Sequence, residues 1–209
     1  MSNRKIFDGF CAAGMTPEGA AATVGNIAAE SGMKPNIAQR GMTPLSDEAY
    51  TAAADAGSID FVNDGVGYGL CQWTYPPRKA NLLAFARASG RSVGDEAVQV
   101  AFCVEELRRD WPELWQKLCS SHDLYQLTDE FCKSYENPAQ PNVGTRYEYA
   151  QQALAAFGSD APQGNLPAAS EGQPPAPDIS GALAALAAYL QTEDFRNGFL
   201  KFLEGRESP

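Results

Sequence analysis

Histidine is almost missing from this chain: His122 is the single one in 209 residues. Zinc amidases and metallopeptidases hold their metal with several His, or with His, Cys and carboxylates at set spacings. One His excludes them, and no metal or cofactor is expected. Cysteine is sparse and odd in number, with Cys11, Cys71, Cys103, Cys119 and Cys132 and no Cys-x-x-Cys pair. That pattern suits reduced thiols packed as small hydrophobes rather than a disulfide framework. A thiol peptidase would need His122 to reach a nucleophile such as Cys71, and no local signature supports one. Gly-x-Ser-x-Gly and phosphate-loop patterns are missing too. Basic residues are few, 16 Lys and Arg against 26 Asp and Glu, a net charge of -10. Nucleic-acid binding through a basic face is therefore excluded. No apolar run nears the roughly 20 residues needed to span a bilayer. The opening Met1–Phe10 also lacks the apolar stretch of a signal peptide.

The apolar residues that are present recur mainly at helical spacing. Ile6, Phe7 and Phe10 predict a short first helix ending at Gly14. Thr16 caps the second, Pro17 takes its first position, and Gly32 with Pro35 ends it. Residues 36–76 hold Gly and Pro at high density, interrupted by a helical turn at 46–53. A loop that long inside a compact domain is functional more often than idle. It is expected to form a cleft wall, with short hairpin-like strands flanking Asn63-Asp64-Gly65. Further helices are expected at 78–89, 94–109, 112–119, 123–136 and 145–157. The fold class is mostly α: a helical domain over 1–157 with a small loop and hairpin wall. A Pro/Gly/Ala-rich linker covers 158–178, and a C-terminal pair of short helices covers 179–209.

Glu30 occupies the last turn of the second helix, in Ala-Ala-Glu-Ser-Gly. Unpaired carbonyls there disfavour a negative charge, so partial desolvation would leave this carboxyl protonated near neutral pH. Protonating a leaving oxygen, as in glycoside cleavage, needs such a group. An ordinary surface Glu is the competing reading, and the second motif decides between them. Asn63-Asp64-Gly65-Val66-Gly67-Tyr68-Gly69-Leu70-Cys71-Gln72-Trp73-Thr74, then Arg78, then Tyr135-Glu136-Asn137-Pro138, follow Glu30 in order. Together they resemble the phage tail lysozyme family of the lysozyme-like superfamily, over roughly residues 4 to 157. The resemblance implies a lysozyme-like fold, cleavage of bacterial peptidoglycan glycan strands, and Glu30 as the general acid.

Asp64 is the expected second carboxylate, with Asp60 and Asp55 as fallbacks, and a purely structural turn role is equally open to it. A separation of about 5 Å from Glu30 would suit a nucleophile, and roughly 6.5 to 9.5 Å would leave room for water. Tyr68, Gln72, Trp73, Tyr75, Arg78, Tyr135 and Glu136 are the candidate substrate-binding residues. Gln72 offers a donor and an acceptor to sugar N-acetyl groups, and the aromatic residues offer flat faces, although core packing serves Trp73 as well. Arg78 opens a helix and should seek a partner such as Glu136 or a substrate carboxylate.

An N-acetylmuramidase-type phage lysin is the leading reading. A lytic transglycosylase is the rival within chemistry, and a non-catalytic wall-binding or tail-structural protein is the rival class. Such a lysin would be made in the bacterial host cytoplasm and reach the wall by holin-type release or in the virion. Residues 179–205 carry apolar stripes too small to stand alone, and homo-oligomerisation or wall binding is expected of them.

Overall fold

The computed structural model describes residues 2–161. Its helices are α1 (Ser2–Ala12), α2 (Pro17–Ser31), α3 (Asp47–Ala56), α4 (Pro76–Ala88), α5 (Glu96–Asp110), α6 (Pro112–Leu118), α7 (Leu124–Phe131) and α8 (Val143–Phe157). The expected helices are therefore present, with ends shifted by up to three residues in all but one of them. One difference is informative. The helix expected through 136 is α-helical only to Phe131, and Cys132–Glu136 is a π-helical turn closed by Asn137 in the left-handed region. The linker and C-terminal helix pair, apart from residues 158–161, lie outside the described residues. So does the segment expected to self-associate. Past Phe157 the chain makes a 3-10 turn, Gly158–Asp160, and Arg4 Nη2 donates to the Asp160 carbonyl at 2.9 Å.

Helix α2 is the axis of the domain. The Thr16 hydroxyl accepts from the Gly19 amide at 3.0 Å, Pro17 opens the helix, and Gly32 ends it at φ 59°. Residues 19–27 of α2 are all buried. They are small enough for neighbouring backbones to come close, and α2 packs most extensively on α8. At Gly25 a Cβ would lie 2.5 Å from the Arg146 carbonyl oxygen and 2.7 Å from Ala150. Glycine is thus required by the α2–α8 contact. That contact brings Arg146 under the last turn of α2.

The long Gly-rich segment is not a hairpin about Asn63–Gly65. Among the described residues, β-structure is limited to two isolated antiparallel bridges, Ala38–Tyr68 and Tyr68–Trp73. Positive φ at Gly65 and Gly69, and at Gln72 (φ 45°), curls the chain too tightly for longer strands. Buried side chains satisfy its backbone instead. Gln99 of α5 accepts from the Leu70 amide at 2.8 Å and donates to the carbonyls of Pro35 and Val93. Lys79 of α4 donates to the Val66 carbonyl at 2.7 Å. A loop pinned in this way is a rigid wall. No helix among the described residues is long and apolar enough to cross a membrane.

Candidate active site

One cleft of about 680 Å³ gathers Glu30 from the end of α2, Gln72 and Tyr75 from the loop, Arg78 from α4, and Glu136 from the π turn. Arg40, Cys71 and Pro138 also line it. Five of the nine expected site residues are therefore brought together.

The other four are elsewhere, for identifiable reasons. Tyr68, Trp73 and Tyr135 are buried in the core, because large aromatic rings contribute most when fully removed from water. Tyr68 packs edge-on to Phe61 and shares a 2.6 Å hydrogen bond with Thr51. Trp73 donates its indole N–H to Glu106, and Tyr135 donates its hydroxyl to the same carboxylate, at 2.9 and 2.7 Å. None of the three presents a ring to a sugar. Of the aromatic candidates only Tyr75 is exposed, at 66%. Asp64 does not line the cleft either. Its carboxylate receives the buried Lys79 ammonium at 2.6 Å, the Tyr50 hydroxyl at 2.6 Å and the Val66 amide at 3.0 Å. Asp60 bonds Asn63 and Asp55 accepts from the Val93 amide, so neither fallback replaces it.

Arg78 pairs with Glu106 and not with Glu136. Its Nε and Nη2 grip the two oxygens of Glu106 at 3.0 and 2.9 Å, while its guanidinium carbon lies 5.3 and 4.5 Å from the ring centroids of Trp111 and Tyr135, which touch each other edge to face. Glu106 is fully buried and anchors Arg78, Trp73 and Tyr135 at once. Sequence reasoning missed it because Glu105-Glu106 reads as a solvated helix face. Its phase was the available signal: Glu106 falls in register with Gln99, Phe102 and Cys103, the buried side of α5.

Arg146 was missed as well. Its Nη2 donates to Glu30 Oε1 at 2.6 Å, Nη1 to Asn26 Oδ1 at 3.2 Å, and Nε to the Pro141 carbonyl at 2.8 Å. Glu30 is thus partly buried and ion-paired, not merely exposed to the carbonyls of its helix end. A second carboxyl of the cleft, Glu136, is the one whose proton affinity is raised. Burial first, and the charge of Glu30 second, push the Glu136 carboxyl up to about 8. Arg78, Arg146 and the Cys71 thiol pull weakly the other way. The Cys71 thiol is raised well above its ordinary value by burial and by Cys103, which makes it a poor nucleophile. His122 bonds Glu18 at 2.8 Å, in the first turn of α2. Twelve helical residues, about 18 Å of rise, separate that turn from Glu30. A Cys–His site is not assembled.

A mostly helical domain with a glutamate at the end of a buried central helix, facing a Gly-rich wall, is a lysozyme-like arrangement. The phage tail lysozyme family matches residues 2–157, and the chain belongs to that family. It is accordingly a lysozyme-type hydrolase of the bacteriophage kind, with a peptidoglycan-lytic, wall-directed function. No curated protein matches the chain.

Proposed function

We propose that the protein cleaves the β-1,4 glycosidic bonds of bacterial peptidoglycan in this cleft, as an N-acetylmuramidase, with Glu30 as an essential carboxyl. The observation that carries the reading is Glu30 itself: partly buried, held by Arg146, and lining the same cavity as Gln72 and Tyr75. Gln72 adopts φ 45°, and its Nε2 donates to the Gly69 carbonyl at 3.0 Å. The side-chain amide is thereby held at the cleft wall, which supports a role for it in meeting a sugar N-acetyl group. The exposed ring of Tyr75 supplies an apolar face for a pyranose.

Glu30→Gln keeps volume and loses the ionisable group, so wall lysis should fall by at least about a hundredfold with the fold unchanged. Turbidity loss of susceptible walls, with circular dichroism as the fold control, measures this. Mass spectrometry of the released glycan separates the chemistries. Reducing N-acetylmuramic ends mean muramidase hydrolysis, anhydro-sugars mean transglycosylation, and intact glycan means a binding-only protein. Near-wild-type lysis by Glu30→Gln would remove Glu30 from the reaction.

A further inference from the structure

Two arginines line the cleft, Arg40 and Arg78, and they differ in what they hold. The charge of Arg78 is met by both oxygens of the buried Glu106. Arg40 is exposed, and among the described residues its side chain has no hydrogen-bond or ion-pair partner. Unpaired surface arginines are common, and most stand on mobile chain. The backbone under Arg40 is fixed. The Ile37 carbonyl accepts from the Gly69 amide at 2.9 Å, and the Ala38 amide donates to Asp47 at 3.0 Å. Gln39 is tied twice to Gly67: its amide donates to the Gly67 carbonyl at 2.7 Å, and its Oε1 accepts from the Gly67 amide at 3.1 Å. Gly41, at φ 76°, then reverses the chain, and the Met42 amide closes the turn on the Gln39 carbonyl at 3.2 Å. Arg40 therefore stands at the corner of a tight turn, on the same rigid wall that carries Gln72. A cation presented in this way gives up little backbone freedom when it meets an anion.

A peptidoglycan strand is built of uncharged sugars, and its acidic groups hang from the lactyl arm of muramic acid. They are the carboxylate of the arm itself where no peptide is attached, and the carboxylates of the peptide where one is. We propose that Arg40 is a specificity-determining residue that receives a carboxylate borne on this arm. The cleft then favours acidic wall glycan over the same glycan without its charge. This inference rests on the glycan-cleaving reading above and adds the feature of the substrate that the cleft selects. The planar guanidinium can place two N–H groups on the two oxygens of one carboxylate, a match that Lys does not reproduce. The contact lies on a substituent and not on the scissile bond. It therefore holds ground state and transition state alike, and its loss raises KM with kcat unchanged. It also acts at short range, where the repulsion between an anionic wall and a chain of net charge -10 is offset by a local cation.

The test follows release of glycan fragments by wild type and Arg40→Gln from three forms of one soluble, sonicated peptidoglycan. The first is intact. The second has its carboxylates converted to amides with ammonium and a carbodiimide. The third is stripped of peptide by an amidase, which frees the lactyl carboxylates. On a carboxylate-bearing form Arg40→Gln should raise KM by about tenfold, the scale of a charge-assisted hydrogen bond, with kcat nearly unchanged. Amidation should cost wild type the same factor and cost Arg40→Gln nothing further, since the pair is already broken. The other two forms separate the sources: a defect on the intact form assigns a peptide carboxylate, and a defect on the stripped form alone assigns the lactyl carboxylate. Equal melting temperatures of the two proteins confirm that the fold is the same. A defect as large on the amidated form as on the others, or none on any form, overturns the proposal and leaves the glycosidase reading standing. Wild type that releases no glycan fragments from any form overturns that reading, and this one with it.

Discussion

Removing the charge of Asp64 would leave the fully buried Lys79 ammonium with only the Tyr50 hydroxyl and the Val66 carbonyl as hydrogen-bond partners. Burial already lowers the proton affinity of Lys79, and the Asp64 ion pair opposes that lowering. Asp64→Asn should therefore destabilise the fold by roughly 3 kcal/mol, the usual scale for breaking a buried pair from one side. Thermal unfolding would show the drop, while kcat on peptidoglycan at temperatures where the variant stays folded should be unchanged. A large loss of kcat with an unaltered melting temperature would return Asp64 to the reaction. The residue also shows what one-dimensional reading cannot reach. Asn-Asp-Gly signals a turn by its own chemistry, and the turn is there. The Lys79 that claims its carboxylate lies 15 positions on, and nothing local in either residue announces the pairing. Glu30, Gln72 and Tyr75 were legible because a motif and a helix end placed them. Arg146 and Glu106 were not, because a charged side chain in a helix reads as solvated unless its helical phase, which places both inside, is weighed against its charge.

At the scale of elements, α2 and its contact with α8 govern the cleft. Gly25→Ala puts a methyl 2.5 Å from the Arg146 carbonyl oxygen, which is backbone and cannot swing aside. The variant should lose about 2 kcal/mol of stability, as overpacked cores do. Since α8 must move outward, Arg146 is drawn from Glu30 and kcat/KM on peptidoglycan should fall as well. Calorimetry and wall turbidity together check this, and unchanged values in both would show that the contact tolerates the methyl. Helix starts and stops were the most readable parts of the fold. Thr16, Pro17 and Gly32 each act on the few amides or carbonyls beside them, so their meaning survives without the rest of the chain. The π turn was not readable, because its wider spacing leaves the apolar phase of Leu124, Leu127 and Phe131 undisturbed. The hairpin expectation failed for a related reason. Glycine says that a chain can bend but not how sharply, and Gln72, which takes the left-handed conformation itself, carries no such signal.

For the whole molecule the governing quantity is charge. A net charge of -10 sets the enzyme against the anionic polymers of many cell walls. Raising ionic strength to about 0.1 M shortens the screening length to about 10 Å and removes most of that long-range repulsion. Lysis of intact walls should accelerate between very low salt and that concentration, while hydrolysis of a small neutral oligosaccharide should hardly change. Lysis that slows with added salt would instead reveal a local basic surface that net charge conceals. The spread of the site along the chain has a different consequence. Glu30 is ion-paired by Arg146, and that bond spans 116 positions. Synthesis proceeds from the N-terminus, so a nascent chain exposes Glu30 long before α8 exists. Throughout that interval α2 has no α8 to pack against, and Arg146 is not yet there to hold its carboxylate. In an enzyme arranged in this way the Glu30–Arg146 pair, and with it the cleft, is complete only when nearly the whole domain has been made.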